Sequence, residues 1–141
     1  MTNAAVQTLT PGLDALRLFL HVSAATIWVG GQFVMLGLLP TARSLGEDAG
    51  AKLARAFAKL SWPAFAVLVL TGFWNLAALH GDTKSTAWNT VMGIKMLLVI
   101  LAGLGAWLHG RATTRAALGA WGSIAGTASI LALLGGVLLQ G

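Results

Sequence analysis

Acidic and basic residues leave long gaps along this chain. Residues 18–42, 60–81 and 116–141 contain no Asp, Glu, Lys or Arg, and each gap exceeds the roughly 20 residues a helix needs to cross about 30 Å of hydrocarbon. A fourth apolar run, from Val91 to His109, is interrupted only by Lys95. The pattern predicts four membrane-spanning helices, at about residues 18–40, 60–80, 91–109 and 117–139. The expected fold is all-α: a single-domain integral membrane four-helix bundle of up-down topology, since the turn around Gly110-Arg111-Ala112-Thr113-Thr114-Arg115 is too tight for anything but antiparallel neighbours.

Local signals set the expected ends. Pro11-Gly12 interrupts any helix before Leu13, and residues 1–12 are polar and expected to fray. Pro40 is expected to end the first span. From Thr41 to Lys59 the residues Leu53, Phe57 and Leu60 share one helical face while Lys52, Arg55 and Lys59 lie on another, as suits a helix at the membrane interface or an extension of span two. Trp62 and Pro63 are expected at the inner boundary, Trp for its headgroup preference and Pro in a first helical turn. Span two should end near His80-Gly81-Asp82, and Trp88 should close the outer loop. The 18 glycines fall largely within the spans, where small residues let membrane helices approach.

Composition and charge sharpen this picture. The 141 residues are 57% hydrophobic and 9% charged, with mean hydropathy +0.80, against about 25% charged in soluble domains. Of the nine Lys and Arg residues, Arg43, Lys52, Arg55, Lys59, Arg111 and Arg115 lie in the connections between spans one and two and between spans three and four. Both connections fall on one side, so the positive-inside rule makes that side cytoplasmic and puts the N and C termini outside. The net charge of +5 is therefore read as solvated basic loops beside a lipid bilayer, not as a nucleic-acid surface. The expected location is the cell (inner) membrane. There is no basic n-region, and the apolar run from Leu18 outlasts a signal-peptide core of about 7–15 residues, so the first helix is read as retained. With no cysteine, disulfides, thiolate zinc sites and iron–sulfur ligation are excluded.

Polar side chains at membrane depth are costly and mark candidate sites. On span one, His21, Trp28, Gln32 and Met35 fall on one stripe at about 100° per residue. On span three, Trp88, Lys95 and His109 share a face, with Ala102 and Ala106 between them, and Met92 and Met96 flank Lys95. On span two, Thr71 and Asn75 are four apart. The expected topology gathers His21, His80, Met92, Met96 and Lys95 in the outer half, while His109 belongs to the cytoplasmic end. Imidazole with thioether is a ligand set for copper, thioether favouring Cu(I). Haem b is the competing cofactor, because bundle cores bind haem through histidine. A bis-histidine haem would need His80 tilted inward to the depth of His21, so a five-coordinate or His21–Lys95 arrangement is the alternative.

The run Leu20-His21-Val22-Ser23-Ala24-Ala25-Thr26-Ile27-Trp28-Val29-Gly30-Gly31 resembles the opening helix of the copper resistance protein D (CopD) family, a histidine followed by Trp-x-Gly-Gly. Arg55-Ala56-Phe57-Ala58-Lys59-Leu60, leading into Val69-Leu70-Thr71-Gly72-Phe73, looks like that family's Arg-Phe-Ser segment and Leu-Thr-Gly. Gly93-Ile94-Lys95-Met96-Leu97-Leu98 looks like its lysine-bearing helix. The resemblance covers three of the four spans and implies a membrane component of copper uptake or homeostasis. The family commonly has about eight spans, so this four-span chain would be one domain, working as a homo-oligomer or with a membrane-protein partner. A weaker similarity is to HemJ-type haem-binding membrane proteins, whose pattern His21, Pro63 and Lys95 fit. That family's Tyr-Leu-Pro-Arg run and Met-Glu-Arg-like segment are absent, the chain reading Leu39-Pro40-Thr41-Ala42-Arg43.

Three readings follow. The first is a non-enzymatic copper-handling protein with His21, His80, Met92 and Met96 as metal ligands and Lys95 as charge partner. The second is a b-type haem protein with His21, Lys95 and Trp28 at the cofactor and a possible redox role. The third is a structural accessory subunit.

Overall fold

The four apolar runs form four helices: α1 Gly12–Ser44, α2 Ala49–Ala77, α3 Thr86–Arg111 and α4 Arg115–Leu138. They belong to a computed structural model that describes residues 9–140; most of the fraying expected over residues 1–12 lies outside that range. Each helix is long and apolar enough to cross a bilayer, and the chain is a multi-pass membrane protein. α1 has 33 residues and α2 has 29, about 50 and 44 Å at 1.5 Å per residue. Both therefore project beyond a hydrocarbon layer of about 30 Å.

Starts and stops follow local chemistry. Pro11 holds an extended conformation and α1 begins at Gly12, with Asp14 in the first turn bonded to Arg17 at 3.1 Å, where its charge suits the positive end of the helix dipole. Ser85 and Thr114 cap α3 and α4, their hydroxyls accepting from the Trp88 and Ala117 N–H at 3.1 and 3.2 Å. α2 ends in a turn in which His80 and Gly81 take positive φ.

Two expected boundaries are displaced. Pro40 does not end the first helix, which continues to Ser44, and Pro63 lies inside α2 instead of in a first turn. Each proline forfeits one backbone hydrogen bond, a loss that membrane helices tolerate where neighbouring helices support the backbone. α1 carries another irregularity. Between Thr26 and Gly30 it widens into one π-helical turn, preceded by a bond from the Thr26 hydroxyl back to the Val22 carbonyl at 2.9 Å and followed by Gly31. Such back-bonding bends helices.

Packing runs as two antiparallel hairpins. Along α1 and α2, Leu39 lies over Gly50, Phe57 over Gly31 and His21 beside Gly72. Along α3 and α4, Lys95 lies over Gly135, Gly105 against Ala125 and His109 over Gly122. α3 and α4 make the most intimate pair. The hairpins meet where Trp28 reaches Ser129 and where Phe65 sits over Gly103. Buried positions are mostly small, among them Ala24, Ala64, Ala102, Ala125, Ala128 and Ala132, while Phe19, Phe33, Leu36, Leu70, Ile100 and Val137 are exposed. Small residues inside and large apolar ones outside is the arrangement lipid permits and water does not.

The connections at residues 45–48 and 112–114 share one end, called here the basic end; residues 78–85 and the last residues of α4 lie at the other, the terminal end.

Candidate functional site

His21 stands on α1, in the half of the bundle toward the terminal end, half-buried. Its Nδ1 lies 2.8 Å from the Thr71 hydroxyl on α2. That hydroxyl has one proton, and it donates to the Val67 carbonyl at 2.7 Å, with the Leu68 carbonyl at 3.2 Å. The proton between His21 and Thr71 must then come from the imidazole, so Nδ1 carries hydrogen and Nε2 presents its lone pair. Among the described residues Nε2 has no hydrogen-bond partner. Gly72 makes room for the ring: a Cβ there would stand 3.6 Å from Cε1.

One turn toward the terminal end from this pair stand Arg17 and Asn75, each four residues from His21 or Thr71 and thus at one depth. Arg17 Nε and Asn75 Oδ1 are both buried without a hydrogen-bond partner.

Deeper in the bundle a second polar knot joins the hairpins. The indole of Trp28 donates to Ser129 Oγ at 3.0 Å, Gln32 Nε2 donates to the same oxygen at 3.2 Å and to the Trp28 carbonyl at 3.0 Å, and Ser129 donates to the Ala125 carbonyl at 2.7 Å. Trp28 is only 4% exposed, and its ring packs on Phe65 and Trp62 at centroid distances of 4.4 and 5.7 Å. Its polar atom and its faces are thus taken up by protein. It is a joint between the hairpins, with nothing left to offer the cofactor to which the sequence assigned it.

The stripe expected on span one is therefore divided: His21 turns to α2, Trp28 and Gln32 to α4, and Met35 to the side where Phe57 and Leu60 approach. The π-helical turn is the cause. It takes in one residue without the usual rotation of about 100°, so residues beyond it are turned relative to His21.

Lys95 lies along α4. Its Cβ and Cγ run beside Gly135 and its Nζ beside Gly136, so the chain climbs toward the terminal end, and the ammonium reaches the last turn of α4, where unpaired carbonyls make the dipole negative. The glycine pair supplies the groove. The ammonium is near enough for its charge to act on the His21 imidazole. Met92 and Met96 flank Lys95 and are half-buried.

The other two histidines stand apart. His80 occupies an exposed turn at φ 47°, and its Nδ1 lies 2.6 Å from the Ala78 carbonyl. Nine residues separate it from Thr71, more than two helical turns, so His80 is not brought to His21 and leaves the expected ligand set. His109, at the basic end, donates from Nδ1 to the Leu118 carbonyl at 2.8 Å and staples α3 to α4. Among the described residues no three His, Cys, Asp or Glu side chains converge.

Ser129 escapes the sequence reading, and Thr71, marked there only as a polar residue four from Asn75, is given no part in the site. Both are polar at membrane depth, which is the signal that marks them, but only the helix register reveals their partners. No family model, no curated protein and no solved structure matches this chain.

Proposed function

We propose that this is a protein of the cell membrane that handles copper, holding Cu(I) in the terminal half of its bundle with His21 Nε2 as the anchoring ligand and Met92 and Met96 as thioether donors. The observation that carries the reading is the bond from His21 Nδ1–H to Thr71. A ligating histidine characteristically gives its other ring N–H to an acceptor, which fixes the tautomer and raises the basicity of the ligating nitrogen. Neutral donors with sulfur suit Cu(I), not the harder divalent ions. No catalytic role is assigned to any residue.

A second reading is a b-type haem protein. It is favoured by the two cationic side chains near His21, Arg17 and Lys95, which suit haem propionates. His21 would then be the axial ligand.

Metal analysis and an absorption spectrum of protein purified in mild detergent separate the two. Under reducing conditions the copper reading expects stoichiometric binding that His21→Ala weakens at least about tenfold, and an unchanged affinity overturns it. A Soret band that His21→Ala removes would establish the haem reading instead.

A further inference from the structure

Tryptophans mark two depths on α3. The Arg111 guanidinium lies 4.0 Å from the centre of the Trp107 ring, and the Lys84 ammonium 5.7 Å from that of Trp88. A cation over an indole face is held by the ring quadrupole, and indole itself favours the boundary between headgroups and hydrocarbon. Between the two, α3 turns Ile94, Leu97, Ile100 and Leu104 outward. Register between helices carries the depth of Trp107 across the bundle. Phe65 sits over Gly103, so Trp62, just before it in α2, comes within about one turn of Trp107. Gly105 meets Ala125, which brings Trp121 of α4 within about one turn as well. Trp62 and Trp107 are exposed, and Trp121 is half-buried.

α1 has no tryptophan at that depth, and its apolar run continues to Ala42. Its neighbours decide where it leaves the hydrocarbon. Ser123 is the residue of α4 that comes level with Trp107, and Ser129, about six residues nearer the terminal end, takes the bond from Trp28. An equal step along α1 from Trp28 arrives at Val34. The Phe57 ring over Gly31 agrees, because Phe57 already lies beyond Trp62 toward the basic end. Were the hydrocarbon to follow α1 to Ala42, about 12 Å further, it would take in Arg55 and Lys59 of α2 and the turn bearing Arg111 and Arg115. All four are exposed and form no ion pair among the described residues. Charge in hydrocarbon is costlier than Leu36 and Leu38 among headgroups.

We infer that these two aromatic and cationic levels seat the molecule in a bilayer with about 28 Å of hydrocarbon, the helical rise from Trp88 to Trp107. α1 then leaves the hydrocarbon no further along than Val34, and the α1–α2 hairpin beyond that level stands in the headgroups and water of the basic side. This seating is independent of the metal reading.

Because the chain has no native cysteine, a single nitroxide can report depth in vesicles. Phe19→Cys and Leu36→Cys place it at exposed positions of α1. Its collision rates with oxygen, which dissolves in hydrocarbon, and with a water-soluble nickel chelate measure how deep it lies. The label at position 19 should sit about 6 Å inside the terminal-end boundary and the label at position 36 outside the basic-end one. The first should therefore favour oxygen and the second nickel. A hydrocarbon that followed the charge-free run of residues 18–42 would invert the order, and inverted or equal depths overturn the inference. Helicity by circular dichroism verifies folding of both labelled variants. The wild type supplies a second measurement. Its thermal midpoint in vesicles of monounsaturated phosphatidylcholines should peak at chains of about eighteen carbons and fall toward about twenty-two, since a mismatched thickness costs stability. A midpoint that is highest in the thickest bilayer, as a span of about 37 Å would give, or that ignores thickness, overturns it too.

Discussion

A hydroxyl has one proton to give, and at Thr71 it goes to the Val67 carbonyl, which leaves its lone pairs for the His21 N–H. Thr71→Val keeps the shape and removes that acceptor. Hydrogen bonds between membrane helices average about 0.6 kcal/mol, so thermal stability in detergent should hardly move. Loss of a ligand's outer hydrogen bond costs about 10–100-fold in metal affinity, so Cu(I) titration should register the change, and Thr71→Ser should restore it. Equal affinity in wild type and Thr71→Val would show that the bond does not tune a ligand. Glycines divide just as sharply. A Cβ at Gly105 would stand 3.0 Å from the Ala125 backbone nitrogen, whereas one at Gly93 meets nothing within 4 Å. Gly105→Val should therefore destabilise the α3–α4 pair by about 1–3 kcal/mol while Gly93→Val stays within about 0.5 kcal/mol, as measured by unfolding in detergent. Similar losses at both positions would refute the close approach. At this scale the sequence exposes His21, Lys95 and the glycine pair at Gly135-Gly136, because polar or small residues stand out in an apolar run. It does not expose that His21 bonds Thr71, or that His80 faces away. Those facts depend on register between helices and on a turn at positive φ, and neither leaves a local pattern.

The helices are longer than the gaps that announce them. Absence of charge marks the hydrocarbon, but backbone hydrogen bonding continues through the headgroups, so α2 begins at Ala49 while its charge-free stretch begins at Leu60. The prolines mislead for a related reason: Pro40 and Pro63 each remove one hydrogen bond, which a helix held by its neighbour absorbs. The π-helical turn over Thr26–Gly30 is invisible to a count that advances about 100° per residue, and it redirects every side chain after it. A π-helical turn is equivalent to one residue inserted into an α-helix. Removing one residue there should regularise the helix and leave both flanks on their partners, whereas removal elsewhere must rotate one flank away. Deletion of Thr26, which is exposed, should accordingly lower the thermal midpoint much less than deletion of Leu36, also exposed but within regular helix. The reverse order, or equal losses, would show that the wide turn does not set the register between His21 and Gln32.

Across the whole molecule, charge and packing divide the two ends. Arg43, Lys52, Arg55, Lys59, Arg111 and Arg115 gather at the end bearing the short connections, and Arg111 lies 4.0 Å over the Trp107 ring there, a cation and an amphipathic ring both suited to the headgroup layer. The other end carries His80, Lys84 and the last turn of α4 that receives Lys95. The positive-inside rule expects the basic end in the cytoplasm, which would open the His21 half of the bundle to the outside. A bundle inserted the opposite way would draw any metal from the cytoplasm instead. Because the chain has no native cysteine, one introduced thiol reports its own side. Thr83→Cys, in the connection between α2 and α3, should react with a membrane-impermeant maleimide in intact cells, and Thr113→Cys, between α3 and α4, should react only after the membrane is opened. The opposite labelling would reverse the orientation.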